Sequence, residues 1–454
     1  MRIKKLLIII PILVILIILG MYPIINKKHL SYSNTNTNTL KLYVLGQHGH
    51  IDERLQAIID EFQNKYPSIK IKTVLFDNST NNGISKYQET LLSDTLSGDG
   101  PDILYLNSSD TLILEKSGML ENLKPFLDKD KTFKKEDYNT KVIEAGVYNG
   151  EQLVMPLDYY VNQYTTTKEL LENNNIRIKD NSSENEFMNS INSYILSASD
   201  ANKTLFAAPM NIEDFLASTG ENFIDYQNKD VYFNTTTFKQ IINNYKKIYN
   251  ASKKESGISG FSGSEGFEAL KDGTSLFSND PIERVSYFLA SESLLNEVTG
   301  ETQVINNIPT YKGGKGVAAI VGSSMAISKN SKNKEAAYNF LKIALSEKIQ
   351  AANLPSNIPV NKKAAEDLEN QYMTNEVGKS YAYDKSTTII QQRLSENFQD
   401  YYNKIVNNVN KGVITDDTLG QLMMQCLTPY FEDKMSYEDA INILKSKIKI
   451  YINE

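Results

Sequence analysis

The sequence predicts an α/β protein of two lobes, and three observations carry that expectation. The chain has 454 residues, too many for one ordinary core and suited to two lobes with an appendage. Its first folded stretch reads strand, helix, strand, helix, strand, an order that implies a parallel sheet. Beyond it lie a strand-like run able to return to that sheet and enough helical segments to build a second lobe.

Composition narrows the function classes. Hydrophobic residues make up 41% and charged residues 23% of the chain, the proportions of a folded soluble body. The net charge is -7, and Lys and Arg are scattered among Asp and Glu, so there is no electrostatic footprint for nucleic acid. Cys426 is the lone cysteine, which excludes an intrachain disulfide and a CxxC redox motif. It is expected to pack as a small buried apolar group.

The first segment sets the compartment. Leu6 to Ile25 is almost wholly apolar and follows Arg2, Lys4 and Lys5, a basic flank that stays cytoplasmic. Its length matches a bilayer span of ~20 residues and exceeds the ~7–15 apolar residues of a secretory signal. Residues 1–25 therefore read as an uncleaved transmembrane anchor. Ile18-Leu19-Gly20-Met21 resembles a lipoprotein signal with Met21 in place of the modified Cys, so a lipid anchor is not expected. Residues 26–39, with Asn and Thr alternating from Asn34 to Thr39, read as a tether. The folded body starts near Leu40 on the extracytoplasmic face.

Leu40 to Leu45 reads as a buried strand closed by Gly46, with Gln47-His48-Gly49-His50 as its exit loop. Leu55, Ile58, Ile59, Phe62 and Tyr66 recur at helical spacing between an Asp52 cap and Pro67. Ile69 to Phe76 alternates apolar with basic residues, as a strand nearer a sheet edge does. Ser85 and Gln88 form a capping-box pattern for a helix that Gly98 closes. Asp102 to Leu106 is a third strand, left through Asn107-Ser108-Ser109-Asp110. Gly316 to Ser328 is a strand-like run broken by Gly322-Ser323-Ser324. Phe238 to Tyr249, Ile389 to Val409 and Tyr437 to Tyr451 are mainly helical.

In open parallel sheets, ligands sit beyond the carboxyl ends of the strands where the strand order reverses. That rule selects Gln47 and His48 on one loop and Asn107, Ser109 and Asp110 on another. Capping is the competing reading for Ser109 and Asp110, since both suit a helix start. His48 and His50 are two potential metal ligands, which is too few without a further His or carboxylate. No metal and no cofactor are expected.

At this point the residues resemble a known family, the extracellular solute-binding proteins, family 1, of ABC importers, whose best-known members bind maltose and other sugars. Phe62-Gln63-Asn64-Lys65-Tyr66-Pro67-Ser68-Ile69 is similar to its "F..KYP.I", and Gly98 to Asp102 to its "sGdgPDi". Gly118 to Leu123 is similar to "GlLepL", Gly150 to Leu157 to "gk.yglP", Ile327 to Ala337 to "I.k.SknkeaA", and Ile358-Pro359-Val360 to the "PV" that follows. The chain departs from the family in carrying Thr165-Thr166-Thr167-Lys168 where "YNk" is usual, and in having no tryptophan.

The resemblance implies a two-lobed, periplasmic-binding-protein-like (Venus flytrap) α/β fold behind the transmembrane anchor. Residues 40–155 would form lobe I, with 322–355 returning to it, and 156–321 lobe II, completed by 356–454. It also implies capture of a small polar solute, a carbohydrate above all, for ABC permease subunits with a separate ATPase. Asp158 and Tyr159 stand where the family chain crosses between lobes and supplies ligand contacts. Asn211 and Asp280 are candidates by the same resemblance, and Ser323, at the break in the returning run, completes the set. Tyrosine rings would replace tryptophan against sugar faces.

No HExxH, GxSxG or GxxxxGK[ST] pattern occurs, so ATP hydrolysis belongs to a partner and no enzyme activity is expected. A pair of glycosidase carboxylates is defined by separation in space, which keeps a surface-anchored glycoside hydrolase as the alternative. A binding protein that senses its ligand for a membrane receptor is the other.

Overall fold

A computed structural model describes residues 38–80, 82–198, 203–207, 210–226, 228–252, 263–279, 285–352, 357–382 and 388–453. The anchor, nearly all of the tether and the candidate Asp280 lie outside them. Among the described residues no helix is long and apolar enough to cross a membrane.

The chain opens with β1 (Thr39–Gly46), α1 (Glu53–Lys65), β2 (Lys70–Asp77), α2 (Gly83–Ser97), β3 (Ile103–Asn107) and α3 (Ser108–Ser117). β1 pairs in parallel with both β2 and β3. Its alternate residues serve both faces: Leu40, Leu42 and Val44 enter one core with Leu55, Ile58 and Phe62 of α1, and Tyr43 enters another with Tyr87 and Leu91 of α2. Such burial on both faces is what a parallel sheet requires. Asp52 caps α1 by accepting from the Leu55 N–H at 3.1 Å, and Gly98 ends α2 at a φ of 85°. The capping box expected at Ser85 is absent. α2 begins at Gly83, so Ser85 lies inside its first turn, and Gln88 is drawn to Asp110 instead.

The chain then leaves this lobe in short steps: β4 (Met155–Pro156), β5 (Asp158–Tyr160), β6 (Gln163–Thr167), β7 (Thr204–Phe206), α4 (Ile212–Ser218), β8 (Ser275–Asn279) and β9 (Gln303–Asn307). It comes back through β10 (Val317–Val321), β11 (Ser323–Ile327) and β12 (Ile358–Pro359), and ends with α5 (Glu396–Asn408), β13 (Val409–Val413), α6 (Asp417–Phe431) and α7 (Tyr437–Tyr451). Three main sheets result, with strand orders β2-β1-β3-β11-β4, β12-β5-β10-β13 and β9-β6-β8-β7. β2 stands at an edge of the first sheet, as its basic alternation implies. β11 returns to that sheet antiparallel to β3.

The sheet containing β5 and β10 lies in sequence between the other two on both passes of the chain, and so forms the spine of the crossover. Residues of α6 and α7 pack in the second-lobe core with Tyr164, Phe187 and Phe277, and buried Cys426 joins them. Ile358, Leu368, Phe398, Tyr402 and Val409 pack instead with the core of β1 and α1. The segment 356–454 is thus shared between the two cores. Helix is also shorter than expected after Ile389: Thr388–Ile390 pairs with Ser380–Ala382 as a hairpin, and α5 starts only after its Ser395 cap.

A buried ion pair holds the crossover. Arg54 on α1 bonds Asp158 on β5, with the two side chains only 6% and 3% exposed. Asp158 also accepts from the Ser323 N–H at 3.0 Å, from the Ser323 hydroxyl, and from Asn357 Nδ2 at 2.9 Å. Breaking a buried pair from one side strands a charge, so Asp158→Ala is expected to cost about 3–5 kcal/mol of stability. Arg54→Met/Asp158→Asn, which strands no charge, should cost less than Asp158→Ala. Denaturant unfolding of these variants checks both; a near-neutral Asp158→Ala would refute the bolt.

Candidate functional site

The loops at the strand ends of the first sheet divide the candidates. Gln47 and His50 exchange both backbone hydrogen bonds, at 3.1 and 3.0 Å, in a tight exposed turn. His48 sits there at a φ of 51° and donates its N–H to Asp77 Oδ1 at 3.1 Å. Among the described residues no group of His, Cys, Asp and Glu is arranged to hold a metal.

At the other loop Asn107 is the cap of α3: its side chain accepts from the Asp110 N–H at 2.9 Å. Capping therefore falls to Asn107, with Ser109 in the first turn of the helix. Asp110 is 5% exposed and accepts from Gln88 Nε2 at 3.0 Å. Burial raises its carboxyl above the ordinary value, Gln88 opposes that, and neighbouring Asp417 adds to it. Asp417 begins α6, which packs in the second-lobe core, so Asp110 feels a like charge from the other lobe.

α3 carries a second link. The Lys116 ammonium lies 3.6 Å from the ring centroid of Tyr226 and 5.9 Å from that of Tyr451, two side chains packed against the second-lobe core. The Tyr451 hydroxyl donates to Asp416 Oδ2 at 2.8 Å. Burial brings the Lys116 ammonium down to about 8 against the pull of Asp416 and Glu115. The Asp416 N–H in turn donates to Glu213 on α4. Next to Glu213, Asp214 accepts from the Tyr160 hydroxyl at 3.3 Å, and Asn211 caps α4 by accepting from the Glu213 N–H at 3.1 Å. The lobes meet in a cluster of carboxyls and tyrosines around Lys116, which also feels Lys229, with charge-bearing and hydrogen-bonding groups supplied from both sides.

Of the residues gathered at this junction, sequence reasoning singles out Asp110 and Asn211 and not Lys116, Glu213, Asp416, Asp417 or Tyr226. The usable signals were local: an acidic residue just inside the Asn211 cap, and the Asp416-Asp417 pair opening a helix. What no local pattern shows is that these segments converge.

Three candidates belong to the crossover. Asp158 and Ser323 bond one another, and Asp158 spends its carboxylate on Arg54, Ser323 and Asn357. Tyr159 is 0% exposed in the first core, within 3.4 Å of Asn139 Nδ2 through its hydroxyl. It leaves no ring face for a solute. In this structure the three side chains are engaged within the fold, because the crossover strand lies inside the molecule.

The junction predicts a pH response. Burial raises the Glu213 carboxyl from 4.5 to about 8, opposed by the Asp416 N–H and assisted by Asp416, Asp214 and Asp417. The folded state holds a proton that the unfolded chain releases above 4.5. That contribution to stability is full at lower pH and is lost as pH rises through about 8. Glu213→Gln removes the titration while still accepting from Asp416. Its melting point relative to the wild type should therefore climb across this window, and a constant difference in thermal melts would contradict the assignment.

Comparisons with known proteins bear on this geometry. No curated protein sequence matches the chain. Solved structures do: the sugar-binding protein MalE of Xanthomonas citri is 16% identical with a TM-score of 0.65, over 91% of this chain and 97% of that one. The substrate-binding protein Lmo0181 of Listeria monocytogenes, in complex with cycloalternan, is 14% identical with a TM-score of 0.58, over 91% and 99%. The GacH receptor of Streptomyces glaucescens, solved unliganded and with acarbose, is 14% identical with a TM-score of 0.56, over 92% and 98%. At such identities the likeness speaks for the fold. The sequence itself matches the model of the bacterial extracellular solute-binding proteins over residues 48–351, well over half its length, and the chain belongs to that family.

Proposed function

We propose that the protein captures a small carbohydrate at the junction of its two lobes and delivers it to ABC permease subunits energised by a separate ATPase. One observation carries the reading: Asp110 and Lys116 on one helix of the first lobe stand against Asp416, Asp417 and Tyr226 of the second. A solute shared by both lobes binds the closed arrangement better than the open one, so capture and closure are coupled. Carboxylates beside tyrosine rings suit hydroxyl-bearing rings. The family is one of binding proteins, and the sugar-binding MalE and the acarbose complex of GacH support a carbohydrate as the solute class.

The same reading places the protein at the cell membrane. Residues 1–25 anchor it and 26–39 tether the binding body on the extracytoplasmic face.

Two outcomes test this. With maltose as the first probe in a calorimetric panel of sugars, Asp110→Ala and Asp417→Ala should each weaken binding roughly 5- to 150-fold, as unpaired hydroxyls in a desolvated site require. Unchanged affinity in both, for whichever sugar binds, moves the site elsewhere. Intact-mass analysis of membrane fractions should find Met21 retained, since a ~20-residue apolar span is held far more firmly than a single lipid chain. A soluble product starting shortly after residue 21 defeats the anchor.

A further inference from the structure

A concavity elsewhere in the molecule shares no residue with the lobe junction. It lies between the outer edge of β9 and one face of α5, and encloses about 470 Å³. β9 is the edge strand of its sheet, so half of its peptide groups have no neighbouring strand.

Which half follows from the register. Thr302, the residue before β9, stands opposite Lys168, and the Lys168 N–H donates to its carbonyl at 2.9 Å. Antiparallel ladders alternate bonded and non-bonded pairs. Val304 and Asn306 therefore bond to β6, and Gln303, Ile305 and Asn307 turn their N–H and C=O groups out of the sheet. Among the described residues none takes up these outward groups.

Across the opening, α5 contributes Asn397 and Tyr401. The Tyr401 hydroxyl sits 3.2 Å from Gln163 Oε1 and 3.1 Å from Asn307 Oδ1, which fixes the ring against the strand. The charged groups at the rim are of both signs: Lys404 lies 4.0 Å from Asp180 and Lys179 3.6 Å from Glu186, Glu292 accepts from both the N–H and the hydroxyl of Ser395, and Asp400 stands beside them. Interspersed charges of both signs do not single out an ion.

We propose that this cavity is a second solute site, taking a small neutral polyhydroxylated molecule of monosaccharide to disaccharide size independently of the junction. A hydroxyl is both donor and acceptor, so neighbouring hydroxyls match the alternating N–H and C=O groups along the strand edge. An immobilised aromatic ring offers the complementary apolar surface. The volume lies within the ~300–1,000 Å³ of small-molecule pockets.

Calorimetry of the full chain with glucose and maltose as probes tests it. The wild type should show two binding events per chain for at least one probe. Ile305→Pro removes an outward N–H and spares the ladder, as proline does at sheet edges, and should weaken one event about 2- to 10-fold. Asn397→Trp, at an exposed position of α5, fills the opening and should abolish that same event. The event lost in Asp417→Ala should survive both changes. If Ile305→Pro lowers the melting point, Asn397→Trp alone decides. A single event that Asn397→Trp leaves intact, or a second one that it leaves intact, overturns the proposal; a single event that Asn397→Trp abolishes would count against the junction and not against this site.

Discussion

The Arg54–Asp158 pair is the constraint on which the two-lobed arrangement rests. Its partners are 104 residues apart in sequence, one on a helix of the first lobe and the other on the spine strand that leaves it. The Leu157 carbonyl, just before Asp158, accepts from Arg54 Nη2 at 3.4 Å and from Gln350 Nε2 at 2.9 Å. The returning strands close on the same carboxylate through Ser323, while the Gly322 N–H donates to the Asp158 carbonyl at 3.1 Å. Gly322 is needed there because a Cβ would collide with Asp158 Oδ1 and Asn357 Nδ2. Outgoing and returning passes are thus tied at one buried point, where an unmatched charge would be intolerable.

A bolt at this place has a consequence for motion. The spine sheet is fastened to the first lobe at Asp158, yet β6 leaves toward the second lobe only a few residues later and β9 returns before β10. Freedom between the lobes therefore belongs to the short connections flanking the spine, and not to the spine itself. The junction at α3 lies beyond those connections and joins the lobes through side chains alone. That is the combination a clamshell needs: a spine held rigid between short connections that can bend, and a contact surface that can part without breaking a sheet.

Much of this was legible in the sequence because it is local. The apolar run of β1, the alternation in β2, the Asp52 cap, the Gly98 terminator and the break at Gly322 each leave a signature within a few residues. The order of elements then dictated the parallel sheet and the return of β11. The site was legible only in part. Asp110 could be placed at the junction because the strand-end rule is topological, whereas Lys116 and Asp417 come into play only after the chain has crossed between lobes. Asp158 drew attention as a polar residue at a crossover, and a polar residue there serves either a solute or the fold. Arg54, hidden on the amphipathic face of α1, decided between them. Gln88 illustrates the same limit: its spacing from Ser85 satisfied a capping rule, but a buried carboxylate on another helix was the stronger partner.

The chemistry of the junction follows from an imbalance. Asp110, Glu115, Glu213 and Asp416 are all buried, and Lys116 is the cation set against them from α3, itself weakened by burial. Burial without matching positive charge favours the protonated carboxyl, and Glu115 and Glu213 are both raised to about 8. Some of the strain is relieved within the protein, by Gln88 on Asp110 and by the Asp416 N–H on Glu213. A buried oxygen of Glu115 has no partner among the described residues. Such a surface gains little from closing on itself, because each carboxyl loses water without gaining a base. It gains more from a guest rich in hydroxyl donors, since those restore hydrogen bonds that closure removes. For the proposed junction site, closing on a solute would then be favoured over closing empty, and the buried carboxyls that burden the folded state would become the source of its selectivity.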